Sequence, residues 1–329
     1  MKHELPKIRR TIDQKEIHWC LEENYNLLSI EWFKILSKWL FNSYSVFKDH
    51  NKYLILIFLV KKTFDFYATN FVKLSWDQFF ALKKIELGKF NIIDISKELK
   101  ISRETTRRKI EELERDDIIK KSNSEIVVQT KFYNEKFIMD HKDFRKSICI
   151  FASKFSVILS ENKIIKEKIS SDLIEKFVSE NFSYAWKAFF EMLLPISIGW
   201  KDIFQDLETW HIYGTVLVNQ NYEIQKILKS KNIKIKNRKD FLKVHSKIKA
   251  NTGINAMSIS TLTGIPRATV IRKLNKLIKK KYLIIDSKKL YSVKVKNSKD
   301  GFINKQTSVN IERLSIFLTK IINLTITSR

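Results

Sequence analysis

The densest run of groups able to grip a polyanion is Ser102-Arg103-Glu104-Thr105-Thr106-Arg107-Arg108. Thr106, Ile110 and Leu113 recur behind it at helical spacing, so the pattern predicts a helix capped by Ser102. Its outer face then carries Arg103, Glu104, Arg107 and Arg108. An arginine can donate two parallel hydrogen bonds to guanine O6 and N7, and a glutamate can accept from cytosine N4. Ser102 and Thr105 fall in the first turn, where backbone N–H groups and the helix dipole attract phosphate. Glu104 and Arg108 are also spaced i,i+4, a pairing that commonly decorates a solvated helix face.

Other chemistry finds little support. The six glycines are never closer than eleven residues apart, which excludes the clustered glycines of dinucleotide-binding and Walker A loops. Cys20 and Cys149 are the only cysteines, and His18-Trp19-Cys20 alone does not make a metal site. With no nucleophile–base spacing, metal-ligand cluster or phosphate loop, the expectation is a protein without catalytic residues, metal or cofactor. The opening MKHELPKIRR lacks the apolar run of a secretory signal, and the longest apolar stretch, Leu54 to Val60, falls short of a membrane span. A cytoplasmic protein with no membrane partner is expected.

The chain has 329 residues and a net charge of +26, which favours a polyanionic partner. The charge is local. From Lys226 to Asp300 there are 22 basic and 3 acidic residues, whereas Trp76 to Thr130 has 12 basic and 11 acidic residues. Only 6 glycines and 3 prolines leave little material for the turns of a sandwich or barrel, so a mainly α fold is expected.

The sequence also repeats. At an offset of 164, eight of the 19 residues from Ile95 to Leu113 are identical to those from Ile259 to Leu277, where chance gives about one or two. Weaker matches fall in the same order: Phe47-Lys-Asp49 with Phe204-Gln-Asp206, and Ile150 to Lys154 with Ile316 to Lys320. Two halves divided near Glu161 are the simplest account.

Each half reads as an aromatic-rich helical module followed by a unit of different rhythm. In the first unit, Trp76 to Leu87 predicts a helix stopped at Gly88, Ile92 to Leu99 a second, and Ser102 to Leu113 a third. A hairpin follows, from Ile118-Ile119 to Ile126-Val-Val128 around Lys121-Ser-Asn-Ser124. In the second unit the helices run from Phe241 to Ile248, Met257 to Leu262, and Pro266 to Leu277. The second hairpin joins Tyr282 to Ile285 with Leu290 to Val295. Helix, helix, turn, helix, hairpin is the order of a winged helix-turn-helix, whose third helix can enter the major groove. The segments are therefore 1–75 helical, 76–130 winged helix, 131–237 helical linker, 238–297 basic winged helix, and 298–329 a terminal helix. Aromatics at helical spacing in the modules, such as Trp32, Trp39, Phe64, Phe182, Trp186 and Trp210, are read as core.

At Ile101-Ser-Arg-Glu-Thr-Thr-Arg-Arg-Lys-Ile110 the sequence resembles the DNA-binding end of the catabolite-activator (Crp/Fnr) transcription regulators. Their recognition helix carries S-R-E-T-x-x-R, followed by a leucine and a wing. The resemblance implies base contacts by Arg103, Glu104 and Arg108, to which the outer-face position adds Arg107. In the second copy it implies Arg267 and Arg272, with Ala268 in place of the glutamate. Lys100 stands where the second copy has Gly264, and lysine is a poor residue for a left-handed turn. The resemblance covers about 50 residues in each copy, and no glycine-punctuated β-roll for cyclic nucleotide accompanies it.

Ser102, Thr105, Lys120 and Lys121 in the first unit are the expected phosphate contacts, with Thr269, Lys273, Lys279, Lys280, Lys281, Lys288 and Lys289 in the second. The sequence thus predicts a sequence-specific, double-stranded DNA-binding transcription regulator. A replication initiator, or a winged-helix interaction module that binds no DNA, is the alternative. Because the second copy lies in the same chain, a monomer can act as a pseudo-dimer on an asymmetric site, its half-sites about 10 base pairs apart. The effector, if there is one, is not legible.

Overall fold

A computed structural model describes residues 11–87, 90–122, 125–129, 135–245, 253–294 and 300–327. Among them the chain is mainly helical. Three helices come first: α1 (Gln14–Glu23), α2 (Tyr25–Phe47) and α3 (His50–Thr69). Then follow α4 (Trp76–Phe80), β1 (Lys84–Leu87), α5 (Ile92–Leu99), α6 (Arg103–Arg115), β2 (Ile119–Ser122), β3 (Glu125–Gln129) and α7 (Glu135–Glu161). The remainder comprises α8 (Ser171–Glu180), α9 (Phe182–Phe204), α10 (Leu207–Ser230), α11 (Arg238–His245), α12 (Ala256–Thr263), α13 (Arg267–Lys279), β4 (Leu283–Ile285), β5 (Tyr291–Val293) and α14 (Asp300–Thr327).

Helix lengths recur down the chain. α1 and α8 have 10 residues each, α2 and α9 have 23, α5 and α12 have 8, and α6 and α13 have 13. Finer details recur at the offset of 164. Asn91 and Asn255 cap α5 and α12 through their side chains. Ser96 and Ser260 donate through Oγ to the carbonyls of Ile101 and Ile265, at 2.6 and 2.7 Å. Lys100 and Gly264 both end their helices in left-handed backbone, at φ 50 and φ 69. So do Asp117 at φ 55 and Lys281 at φ 63, each just before a strand. Even the weak outer match has a backbone counterpart, since Lys48 and Gln205 are both left-handed at the ends of the 23-residue helices.

Lys100 adopts the left-handed turn despite its side chain. The conformation costs a non-glycine residue about 1–2 kcal/mol. It delivers Ile101 into the core, 6% exposed, and the Ser96 bond closes the turn behind it. At Gly264 a Cβ would touch Phe41 at 3.4 Å besides being strained.

Residues Met1–Ile17, Asn51–Ile198 and Arg313–Arg329 form one compact unit; His18–His50 and Gly199–Glu312 form another. These units are discontinuous, whereas the segments read from sequence are contiguous. In unit 1, β3 lies between β1 and β2 in an antiparallel sheet, with Ile85 opposite Val128 and Ile119 opposite Val128. α8 packs against α7 and α4. The core beside it is aromatic: Phe182 contacts Trp76, Phe79 and Trp186 with ring centroids 4.8–5.1 Å apart. Arg145 covers the Trp76 ring at 4.1 Å and pairs with Glu175 at 2.8 Å. In unit 2, α10 packs against α2, α12 and α13, and β4 pairs with β5. Trp200 stacks on Trp210, and Phe204 contacts Tyr213 and Tyr282. Most aromatics of the modules are buried as expected, but the same core reading fails for Phe41, Phe66 and Phe71, which are exposed, and Phe33 is only half-buried.

One expected helix is corrected. Trp76 to Leu87 is not a single helix, because α4 ends at Phe80 and Lys84-Ile85-Glu86-Leu87 becomes β1. Its residues alternate between exposed and buried, so Ile85 and Leu87 reach the core only with a period of two. β3 also supplies the backbone partners that a helix there would not use. Gly88, the expected stop, lies outside the described residues, as do residues 123–124 of the hairpin tip, 246–248 and Val295. Pro266 proves to be the N-cap of α13 rather than its first helical residue.

Candidate nucleic-acid interface

α6 is positioned from beneath. Thr106, Ile110 and Leu113 are buried, and the Ser102 side chain accepts from the Thr105 N–H at 3.2 Å and donates to the Thr105 hydroxyl at 2.9 Å. Arg103, Glu104, Arg107 and Arg108 are all exposed on the opposite side. They are not equally available. Glu104 pairs with Arg107, both carboxylate oxygens lying 3.1 Å from one guanidinium nitrogen, and not with Arg108 as the i,i+4 spacing allowed. Arg108 lies 3.9 Å from Glu112. Base contacts by Glu104 and Arg107 therefore require them to exchange each other for the base. On the hairpin, Lys120 is exposed and Lys121 pairs with Glu114 at 3.1 Å.

α13 follows the same plan with Val270, Leu274 and Leu277 buried. Arg267, Ala268, Ile271 and Arg272 are exposed, and Thr269 is half-buried. Pro266 provides no side-chain cap, so the first-turn N–H groups of α13 keep their capacity for an acceptor. Lys279 and Lys281 at the helix end are exposed, Lys280 is half-buried, and Lys288 and Lys289 sit exposed in the hairpin turn. Asp286 organises that turn, accepting from the N–H groups of Lys288 and Leu290 at 2.9 and 2.8 Å.

Lys273 departs from its expected role as a phosphate contact. Its ammonium donates to Asp206 Oδ1 at 2.6 Å and lies 3.3 Å from the Thr209 hydroxyl, and its side chain is only 12% exposed. Asp206 also caps α10 by accepting from the Thr209 N–H at 2.7 Å. Lys273 thus ties α13 to the start of α10. Lys109, its counterpart in α6, is buried and pairs with Glu112 at 2.8 Å. In both helices an inward lysine looks, in sequence, like part of a basic surface; its i+3 spacing from Thr106 and Val270, on the buried face, is the signal that separates it.

A buried polar cluster beside this pair was not foreseen. His50 and His211 have ring centroids 6.0 Å apart, and Ser43 Oγ lies 2.9 Å from His50 Nδ1. His50 Nε2 and both His211 ring nitrogens have no hydrogen-bond partner among the described residues. Burial lowers both histidines, His50 to about 4, with Asp49 and Asp206 partly opposing and Lys273 reinforcing the shift. Burial alone would raise Asp206, but the bonds from Lys273 and Thr209 outweigh it and hold the carboxyl low. Burial raises Glu208 nearby.

A histidine that stays neutral when folded but protonates when unfolded makes stability fall as pH drops below about 6.5. Between pH 6.5 and 5 the loss expected from His50 is about 1.6 kcal/mol, and His211 adds to it. Urea unfolding at the two pH values measures it. His211→Leu should make the dependence shallower, and an unchanged slope would contradict the assignment.

No protein-family model matches the chain, and comparisons with curated proteins and with solved structures find no match. No helix among the described residues is long and apolar enough to cross a membrane.

Proposed function

We propose that the protein is a sequence-specific, double-stranded DNA-binding regulator of transcription built from two winged helix-turn-helix units that arose by internal duplication. The observation that carries this reading is the recurrence, at one offset, of an 8-residue helix, a left-handed turn closed by a serine, a 13-residue helix and an antiparallel hairpin. Each 13-residue helix buries one face and exposes two or more arginines on the other. That arrangement suits a helix offered to the major groove, with the hairpin lysines beside the phosphates.

The units divide the work. α6 offers arginines and a glutamate in a nearly neutral surrounding, which favours discrimination between bases. The surroundings of α13 are strongly basic, which favours sequence-independent affinity. Fluorescence anisotropy with duplexes selected from a random library tests the reading. Affinity should fall steeply with salt, and Lys288→Ala with Lys289→Ala should weaken binding to all duplexes alike. Each lost phosphate contact should flatten the log–log salt slope by about one unit. Absence of salt-dependent duplex binding would instead favour a protein-interaction module.

A further inference from the structure

We propose that a groove at the C-terminal end of α10 binds single-stranded nucleic acid, with Tyr222 as the stacking platform and Lys226, Lys229, Lys234 and Lys236 as phosphate contacts. The inference deepens the DNA-binding reading, yet it uses no residue of α6, α13 or either hairpin.

The groove lies within unit 2 and encloses about 630 Å³. Tyr222, Lys226 and Lys229 follow one another at i, i+4 and i+7, so they line one face of α10. The run Ile233 to Lys236 lines it as well, with Lys234 and Lys236 alternating with Ile233 and Ile235. This run is fixed in place. The Asn26 N–H donates to the Lys236 carbonyl at 3.0 Å, its side-chain amide donates to the Ile235 carbonyl at 2.9 Å, and Gln225 holds the Asn26 side chain from α10.

The chemistry of the lining selects the ligand. Among the described residues only Lys226 of the four lysines is ion-paired, to Glu223 at 2.8 Å. A groove with four ammonium groups and no acid among its lining residues focuses a positive potential. Free phosphate alone would satisfy the lysines but not the rest of the wall. Tyr222 is 51% exposed, with the Lys226 ammonium 4.7 Å from its ring centroid, and Ile233 is 44% exposed. A half-exposed aromatic ring flanked by lysines offers what a base and its flanking phosphates require, because every base can stack whatever its sequence. In a duplex the bases are stacked on each other and present only their edges. The platform therefore fits an unpaired strand.

The test uses the full chain and a fluorescent oligothymidylate of about 15 nucleotides, within the span of known single-strand sites. Anisotropy should show salt-sensitive binding. Tyr222→Ala should weaken it about tenfold or more, Tyr222→Trp should preserve it, and Lys234→Gln with Lys236→Gln should reduce the salt slope. Tyr222→Ala should leave duplex binding unchanged, whereas Arg103→Ala should leave oligothymidylate binding unchanged. Failure to bind the oligonucleotide, or equal binding by Tyr222→Ala, overturns the inference. Oligonucleotide binding without duplex binding would overturn the regulator reading and leave this one standing.

Discussion

Replacing Lys273 with alanine should destabilise the protein by about 2–3 kcal/mol, more than any other single lysine near α13. Removing one partner of a fully buried ion pair costs about 3–5 kcal/mol, because the remaining charge stays out of water. The lower figure applies here because Asp206 keeps 27% of its side chain exposed and retains its bonds from Thr209. The pair also joins the candidate recognition helix to α10, so its loss should loosen α13 as well as lower the unfolding midpoint in urea. Asp206→Asn combined with Lys273→Met should recover most of the loss, since matched uncharged groups leave no orphaned charge. Lys279→Ala and Lys289→Ala, at exposed positions, should change stability by no more than about 0.5 kcal/mol. A Lys273→Ala protein of unchanged stability but weakened duplex binding would return Lys273 to the phosphate contacts.

Arg103→Ala and Arg108→Ala should each relax base preference at one part of the bound site, at a cost of about 1–3 kcal/mol for each lost bidentate contact. Arg103 should show the larger effect, because Arg108 lies near Glu112 and Arg107 is held by Glu104. Glu104→Ala releases Arg107 and should strengthen binding to all sequences while losing discrimination. Arg267→Ala and Arg272→Ala should act on a different part of the site, where Ala268 and Ile271 offer only apolar contact. Competition between selected and scrambled duplexes at fixed salt measures each. Full retention of preference by the Arg103→Ala, Arg108→Ala double variant would show that α6 does not read bases.

Much of this architecture is legible because it depends on residues close together in the chain. The period of Thr106, Ile110 and Leu113, the Ser102 cap and the spacing of the two hairpins are local, and the structure places α6, α13 and both hairpins near where those signals put them, except that Lys121-Ser122, read as turn, belong to β2. Repetition at offset 164 made the second copy readable even where Pro266 and Gly264 replace Ser102 and Lys100. Local signals failed at Trp76 to Leu87, where four residues with a short alternating pattern joined a strand 40 residues away in sequence. A helical stripe and a two-residue alternation overlap over so short a run, and only the partner strand decides between them.

What the sequence determined by itself is the mainly helical content, the internal repetition, the concentration of basic charge after Lys226, and the two arginine-bearing helices. Only the tertiary structure decided what each lysine meets: Lys273 and Lys226 are the same residue type in the same basic region, yet one is half-buried against Asp206 and the other lines a groove. It alone also decided the composition of the units. α2 of the first half packs with α10 and α12 of the second half, and α8 of the second half packs with α7 and α4 of the first. Related helices present related apolar faces, so either copy could accept either helix by pattern alone. The choice rests on the fit of side chains at contact distance, a property of pairs of surfaces that no single stretch of sequence contains.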